Sequence, residues 1–437
     1  MTGDGLLRRV LANAGLLLGG RTVNALVSLG YMALAARALG VAAFGVLVLI
    51  NTLAQFMGDV VKFQSWQTVL HFGAAPFTDG RRSDFQRVVK FSLVLDLVSA
   101  LVGIAVGMAI AMLFGRLIAL PQGMEGPAAV YASTILFMVP ATPVGLLRLF
   151  DRFDILSAQA AVSSTVRLVG AGAGFLIGGS VEFFLVVWGA GTLAAFLYLT
   201  VASIRELRRR DLLASFTWRG PLTAGMPNAW RFAWATNFSS SLDVAFTHLT
   251  TLVVGGLLGS TEAALWRVAR QVADAMAKPA RLLIPALYPE LAKLHATEGQ
   301  GAMARLALRV GLVGGGVASL LLLITLLAGE PLLTLVMGPA FGAAAGTMTW
   351  QVAAAVIGVW ALPLEPMLVS MGKPGAALRV RLVVAATFLV VLGPLVEAFG
   401  MSGAGAGLVI ASLGMGLGML WSLIRNGRAG NVGDAAH

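Results

Sequence analysis

Five ionisable residues, Arg267, Arg270, Asp274, Lys278 and Arg281, follow one another at spacings of 3, 4, 4 and 3. At roughly 100° per residue they fall within about 80° of one helix face. Four cations and one carboxylate on a single face suit the binding of an anion. Two further stripes match this one in register. Asn51, Gln55, Asp59 and Lys62, shifted by 219 residues, land on Arg270, Asp274, Lys278 and Arg281. Arg21, Asn24, Ser28 and Tyr31 land by the same shift on Ser240, Asp243, Thr247 and Thr250. The chain therefore reads as two parallel repeats carrying polar stripes at equivalent places.

The stripes hold six cations (Arg21, Lys62, Arg267, Arg270, Lys278, Arg281) and three anions (Asp59, Asp243, Asp274). All lie in apolar surroundings, where a charge at the centre of a membrane span costs roughly 2.5–3.5 kcal/mol on the insertion scale, so they must face a bundle interior or water. The excess of positive charge assigns an anionic ligand to the cations and a coupling or counter-ion role to the acids. Structural pairing is the alternative: Asp59 with Lys62 or Arg281, and Asp274 with Arg270 or Lys278. Arg21, Lys62 and Arg281 lie toward span ends, where long side chains can snorkel to the interface.

Twelve apolar runs position these residues: Leu11–Ala36, Val41–Leu70, Val88–Phe114, Pro127–Leu149, Ser157–Gly178, Glu182–Ile204, Ala229–Leu258, Ala263–Leu287, Met303–Ala328, Ala340–Met371, Ala377–Phe399 and Gly403–Ile424. Each meets or exceeds the roughly 20 residues needed to cross the hydrocarbon layer. Basic residues gather in alternate gaps, with Arg81, Arg82, Arg87 and Lys90 in the second and Arg205, Arg208, Arg209, Arg210 and Arg219 in the sixth. The opposite gaps offer only Arg37 and Arg116. Positive loops stay inside, so both termini are expected in the cytoplasm. The expected fold is an all-α polytopic membrane protein of about 12 spans, in two six-helix lobes around a central cavity lined by spans one, two, seven and eight. The lobes are 1–204 and 232–426, with a linker at 205–231 and a tail at 427–437.

Composition bounds the function classes. The chain is 58% hydrophobic and 12% charged, with a mean hydropathy of +0.86. A soluble domain of this length could not cover that much apolar surface. The first run continues into a second span and lacks a small-residue cleavage site, unlike a signal peptide. A formal net charge of +11 follows from the inward basic loops and needs no nucleic acid. There is no cysteine, and the scattered histidines, His248 among them, predict structural roles and no metal site. The outward loops are short, and no catalytic constellation, phosphate loop or cofactor motif appears, so an enzyme is not expected. Pro363, Glu365 and Pro366 predict a broken or kinked tenth span. Asp96 is expected to pair with Arg87 or Lys90, whereas Arg167 has no partner legible in the sequence. Trp218, Trp230 and Trp234 read as interfacial anchors.

Several segments carry a resemblance. "ALAARALGVAAFG" at Ala33–Gly45, "PALYPELAKL" at Pro285–Leu294, "LLTLVMGPAFGAAA" at Leu332–Ala345 and "SMGKPGAALR" at Ser370–Arg379 resemble, in order and spacing, the signatures of bacterial polysaccharide flippases. These belong to the multidrug/oligosaccharidyl-lipid/polysaccharide (MOP) exporter superfamily. Ala264 departs from the Gly often found there. The resemblance covers the whole chain. It implies the MATE-like fold, alternating access, an inner-membrane location and flipping of an undecaprenyl-pyrophosphate-linked oligosaccharide from the inner to the outer leaflet. It also implies membrane lipids and polysaccharide polymerase machinery as partners. A MATE-type drug or metabolite antiporter is the second reading, and a membrane enzyme of envelope polysaccharide assembly the third. Cationic drugs would call for an acidic cavity, and short outer loops disfavour the enzyme.

The basic-loop alternation generates a direct test of orientation. A cysteine placed at Gly259 or Ala340 should react with an impermeant thiol reagent applied to intact cells, and one at Ser83 should stay unlabelled until the membrane is opened. Labelling of Ser83 from outside would reverse the assigned orientation.

Overall fold

The computed structural model of the chain describes residues 3–214, 216–281 and 300–434, and every element in them is helical. In chain order these are α1 (Gly3–Val61), α2 (Ser65–Thr78), α3 (Arg82–Phe114), α4 (Glu125–Ala132), α5 (Ile135–Met138), α6 (Ala141–Leu149), α7 (Phe153–Ile177) and α8 (Val181–Arg209). There follow α9 (Ala229–Leu258), α10 (Ser260–Arg281), α11 (Gln300–Met337), α12 (Ala345–Ala361), α13 (Leu364–Ser370) and α14 (Pro374–Asp434). Among the described residues, seven helical runs are long and apolar enough to cross a membrane, or eight when the bent pair Glu125–Ala132 and Ile135–Leu149 counts as one span.

Two of these runs, Val27–Thr78 and Pro374–Arg425, are 52 residues long, more than twice the roughly 20 residues of one crossing. Each is interrupted by a glycine with non-helical backbone: Gly40 at φ 73° and Gly400 at φ 61°. The second interruption is a hairpin. A Cβ built on Gly403 would lie 1.9 Å from the carbonyl oxygen of Leu395, one on Gly414 3.6 Å from Val384, and one on Gly418 2.7 Å from Val380. Contacts that recede in sequence on one side as they advance on the other define two antiparallel helices. The small residues let their backbones approach closely in lipid, where packing and not water drives helix association. Every apolar run of the sequence thus falls on helix, with the Ala263–Leu287 run described only to Arg281.

Two runs read as continuous are broken, and a third breaks where it was expected to. The second halts at Val61 and resumes at Ser65. The fourth is bent by 41° between Ala132 and Ile135, and it is interrupted again before α6 at Pro140, which lacks the N–H a continuous helix needs. The tenth breaks between α12 and α13 at Pro363, as its prolines predict.

The chain forms two compact units, Met1–Leu252 and Val253–His437. In the first, the 205–231 stretch packs onto α3. Gln86 Nε2 donates to the carbonyls of Leu212 and Ala214 at 2.7 and 3.0 Å. Lys90 Nζ donates to those of Arg219 and Gly220 at 3.0 and 3.1 Å. Met226 and Ala229 are buried with Val88, Phe91 and Leu95. At the end of α8, Glu206 is engaged by Arg152, Arg209 and Arg210. Hydrogen bonding to Asp154, with Glu206 beside it, raises the Arg152 guanidinium above its ordinary pKa and keeps it charged. In the second unit, Met303, Ala307, Leu368, Ala377 and Met419 form a core that joins α11, α13 and both halves of α14.

The hairpin at Gly400 predicts an asymmetric pair of substitutions. Gly403→Ala should destabilise the purified protein by about 1–3 kcal/mol, the usual scale of overpacking, in thermal unfolding in detergent. Gly393→Ala, whose Cβ would meet nothing within 4 Å, should be neutral or slightly stabilising.

Candidate functional site

Within the first unit, most of the described polar stripe residues find partners on neighbouring helices of the same unit. Asn24 of α1 accepts a hydrogen bond from the Ser164 hydroxyl of α7. Asn51 accepts one from the Tyr131 hydroxyl of α4 at 2.8 Å, both residues being buried. Tyr31 meets the Trp188 ring edge-on, with centroids 5.2 Å apart. These hydrogen bonds neutralise polar groups that would otherwise be costly in hydrocarbon. Among the described residues, the buried Gln55 Oε1 atom has no partner.

Arg167, which has no partner legible in the sequence, joins the Tyr31 group. Its Nη2 donates to Thr192 Oγ1 at 3.0 Å and to the Trp188 carbonyl at 3.4 Å, while Nη1 lies 3.5 Å from Tyr31 Oη. The guanidinium carbon sits 5.8 and 5.9 Å from the Tyr31 and Trp188 rings, within cation–π range. The side chain lies across Gly191, where a Cβ would come 2.8 Å from Arg167 Cγ. Among the described residues no carboxylate pairs with it.

Asp59 does not pair with Lys62. Its Oδ2 atom lies 3.2 Å from Nε2 of His248 on α9, a histidine whose Nδ1 is buried without a partner among the described residues. An Nε2–H, in the matching tautomer or the protonated ring, donates to the carboxylate. Lys62 follows the end of α1 and makes no ion pair among the described residues. Asp96 also departs from expectation. Arg87 pairs instead with Asp84 and Lys90 is committed to backbone carbonyls. Asp96 Oδ2 accepts the Thr142 backbone N–H at 2.7 Å.

In the second unit, α10 buries Leu265, Val268, Ala269 and Ala273. It is anchored by Gln351 of α12, whose Nε2 donates to the Trp266 carbonyl at 3.2 Å. The polar face carries Arg267, Arg270 and Asp274. Arg270 Nε lies 3.3 Å from Asp274 Oδ1, one turn along, so Asp274 takes the first of its two expected partners. The side chains of Arg21, Asp243, Lys278 and Arg281 lie outside the described residues. Glu365 pairs with Arg381 at 3.6 Å.

Long apolar helices broken at polar positions make this a multi-pass membrane protein. The inner membrane protein YghQ of Escherichia coli (strain K12) is 32% identical over 337 residues, covering 77% of this chain and 94% of that protein. The chain belongs to the YghQ family. No protein-family model matches it. Among solved structures, the inward-facing form of a multidrug-resistance MATE transporter of the MOP superfamily aligns with a TM-score of 0.74 at 14% identity. That alignment covers 94% of this chain and 98% of that one. The lipid II flippase MurJ, in an inward closed conformation, aligns with a TM-score of 0.71 at 10% identity over 93% and 87%. A MOP superfamily transporter from Pyrococcus furiosus, described by the reverse polarity of its binding pocket, aligns at 0.63 and 14% identity over 95% of each chain. This member of the YghQ family therefore has the MOP fold.

The Asp59–His248 contact joins two positions that local periodicity keeps apart. A double-mutant cycle with Asp59→Asn and His248→Phe, read by thermal unfolding, should return a coupling of about 0.2–1 kcal/mol, the scale of a partly exposed ion pair. Additive effects would show that the two residues act independently.

Proposed function

We propose that this protein is an inner-membrane flippase for an undecaprenyl-pyrophosphate-linked oligosaccharide, moving it from the inner to the outer leaflet by alternating access of its two lobes. The observation that carries this reading is the polarity of α10. One face bears Arg267, Arg270, Lys278 and Arg281 against the single carboxylate of Asp274, and Arg270 engages that carboxylate. A face with that surplus favours a ligand with more than one negative charge, as a pyrophosphate has. Lys62, which stands in the first repeat where Arg281 stands in the second, and Arg21 are the further cations this reading assigns to the headgroup. The MOP fold, shared with a lipid II flippase, supports the reading, as does a relative in the inner membrane.

Asp59, Asp243 and Asp274 would be the counter-ions that release a cation to the substrate headgroup or to a proton as the lobes exchange access. Both termini would be cytoplasmic, with the 205–231 stretch between the lobes on the same side. Polysaccharide polymerase machinery and membrane lipids would be the working partners.

The second reading is a MATE-type antiporter, favoured by the alignment with the multidrug-resistance transporter. Pocket polarity separates the two. The reversed pocket of the Pyrococcus furiosus protein supports treating charge as a variable of this fold, and a cationic drug is disfavoured on a basic face.

The test is genetic and biochemical. Depletion should cause a lipid-linked oligosaccharide to accumulate on the inner leaflet, and an Arg270→Ala/Lys278→Ala double variant should abolish export at unchanged expression. Arg267→Lys should keep part of it, because charge survives while the bidentate guanidinium geometry does not. Full complementation by the double variant would refute the headgroup role. Accumulation of no lipid-linked intermediate would favour the antiporter.

A further inference from the structure

The break in the tenth span opens a groove on the second unit. Its walls are the first turns of α11, the stretch from Trp360 to Met371 across the break, and the Leu420–Ile424 turn of α14. It has a volume of about 590 Å³, and every residue lining it is apolar or glycine. Met303, Met367 and Leu423 line it from the buried core that joins these helices. A Cβ on Gly315 would lie 2.3 Å from the Trp360 ring, and Trp360 Nε1 donates to Ser319 Oγ at 3.2 Å. The indole therefore lies across α11 and closes the groove at that end. Leu308, Leu420 and Ile424 line the groove and are exposed, so its open side faces the hydrocarbon around the spans.

The opposite end of the groove is basic. Arg305 Nη1 lies 3.8 Å from the Cβ position of Gly301, a lining residue. Arg425 follows the lining residue Ile424, and its guanidinium carbon sits 5.3 Å from the Trp421 ring. Both arginines are exposed, and among the described residues no carboxylate pairs with either. Glu365, close in sequence to the lining residues, is taken by Arg381. One turn past Arg305 on α11 comes Arg309, and then the exposed Leu312 and Val313. The groove thus crosses from a basic to an apolar surface, at the end of the spans that the loop alternation predicts to be cytoplasmic. We infer that it holds one anionic phospholipid of the inner leaflet, an acyl chain lying between α11, the break and α14, and the phosphate at Arg305 and Arg425. Basic pockets between helices at the cytoplasmic face select anionic headgroups in this way. The flexible walls of Met303, Met367 and Met371 suit a chain of no fixed shape. An extended peptide would bring backbone N–H and C=O groups that these apolar walls leave unpaired. No residue of α10 lines the groove, so the site is separate from the polar face assigned to the transported headgroup.

The inference concerns a resident lipid and stands apart from the flippase reading, so its test does not measure transport. The purified full chain in neutral detergent is titrated with phosphatidylglycerol or phosphatidylcholine of the same acyl chains. Native mass spectrometry counts the lipids retained. One phosphatidylglycerol should be retained saturably, and phosphatidylcholine roughly fivefold more weakly or less, the scale of one basic residue near a membrane surface. Arg305→Gln should weaken phosphatidylglycerol by a similar factor and leave phosphatidylcholine unchanged. Ala304→Phe, at an exposed position that lines the groove, should remove both lipids without lowering the lipid-free unfolding temperature. If it does lower that temperature, the Arg305→Gln comparison of the two lipids decides. Equal retention of both lipids by the wild type overturns the site, because an ordinary lipid annulus behaves so. Phosphatidylglycerol retained undiminished by Ala304→Phe also overturns it, by placing the lipid elsewhere. Three further results overturn it in favour of another occupant. Protection by glycerol phosphate alone would make it a site for free phosphate, and preference for undecaprenyl phosphate would make it a site for a carrier lipid. A dimer that Ala304→Phe dissolves, seen by light scattering, would make it the seat of a second copy.

Discussion

Hydrocarbon has no hydrogen-bonding partner to offer, so every polar atom inside these helices must be satisfied by the chain or by what the chain binds. That constraint organises the first unit. The backbone meets it by being helical in every regular element of the described residues. The side chains meet it in pairs: Asn24 with Ser164, Asn51 with Tyr131, Asp59 with His248. Arg167 meets it with a ring face, a hydroxyl and a carbonyl in place of an acid. Each pair ties two helices together at a defined register. A polar stripe in the membrane is thus also a set of pins that hold a lobe together.

The same constraint explains what could be read from the chain alone. Apolar length is a local property, so the runs were legible, as was the break in the tenth span, where Pro363 and Pro366 lie on the page. The polar stripes were legible because 3.6-residue periodicity is local too. Their partners were not. Asp59 and His248 are 189 residues apart and Asn51 and Tyr131 are 80 apart, and no spacing rule connects them. Arg270 and Asp274 are four apart, and that pair was among those expected. The break at 62–64 was missed for a different reason. No proline or glycine marks it; it coincides with the packing of α2 against α3 and α6, a tertiary effect that overrides local helix preference. The pairing expected for Asp96 failed because Lys90, a nearby cation on its own helix, is drawn to backbone carbonyls more than a hundred residues away.

The partition of charge in the spans is uneven in a way that bears on ligand binding. Four described acids are engaged: Asp59 by His248, Asp274 by Arg270, Glu365 by Arg381, and Asp96 by the start of α6. Lys62 and Arg167 meet no carboxylate among the described residues. Burying a cation without an acid is expensive, and the expense is offset only by ring faces, by water or by an anion that comes and goes. A permanent structural role would more cheaply be filled by an apolar residue. Rings, a hydroxyl and a carbonyl offset the Arg167 charge, and the proposed function would leave Lys62 for the anionic headgroup.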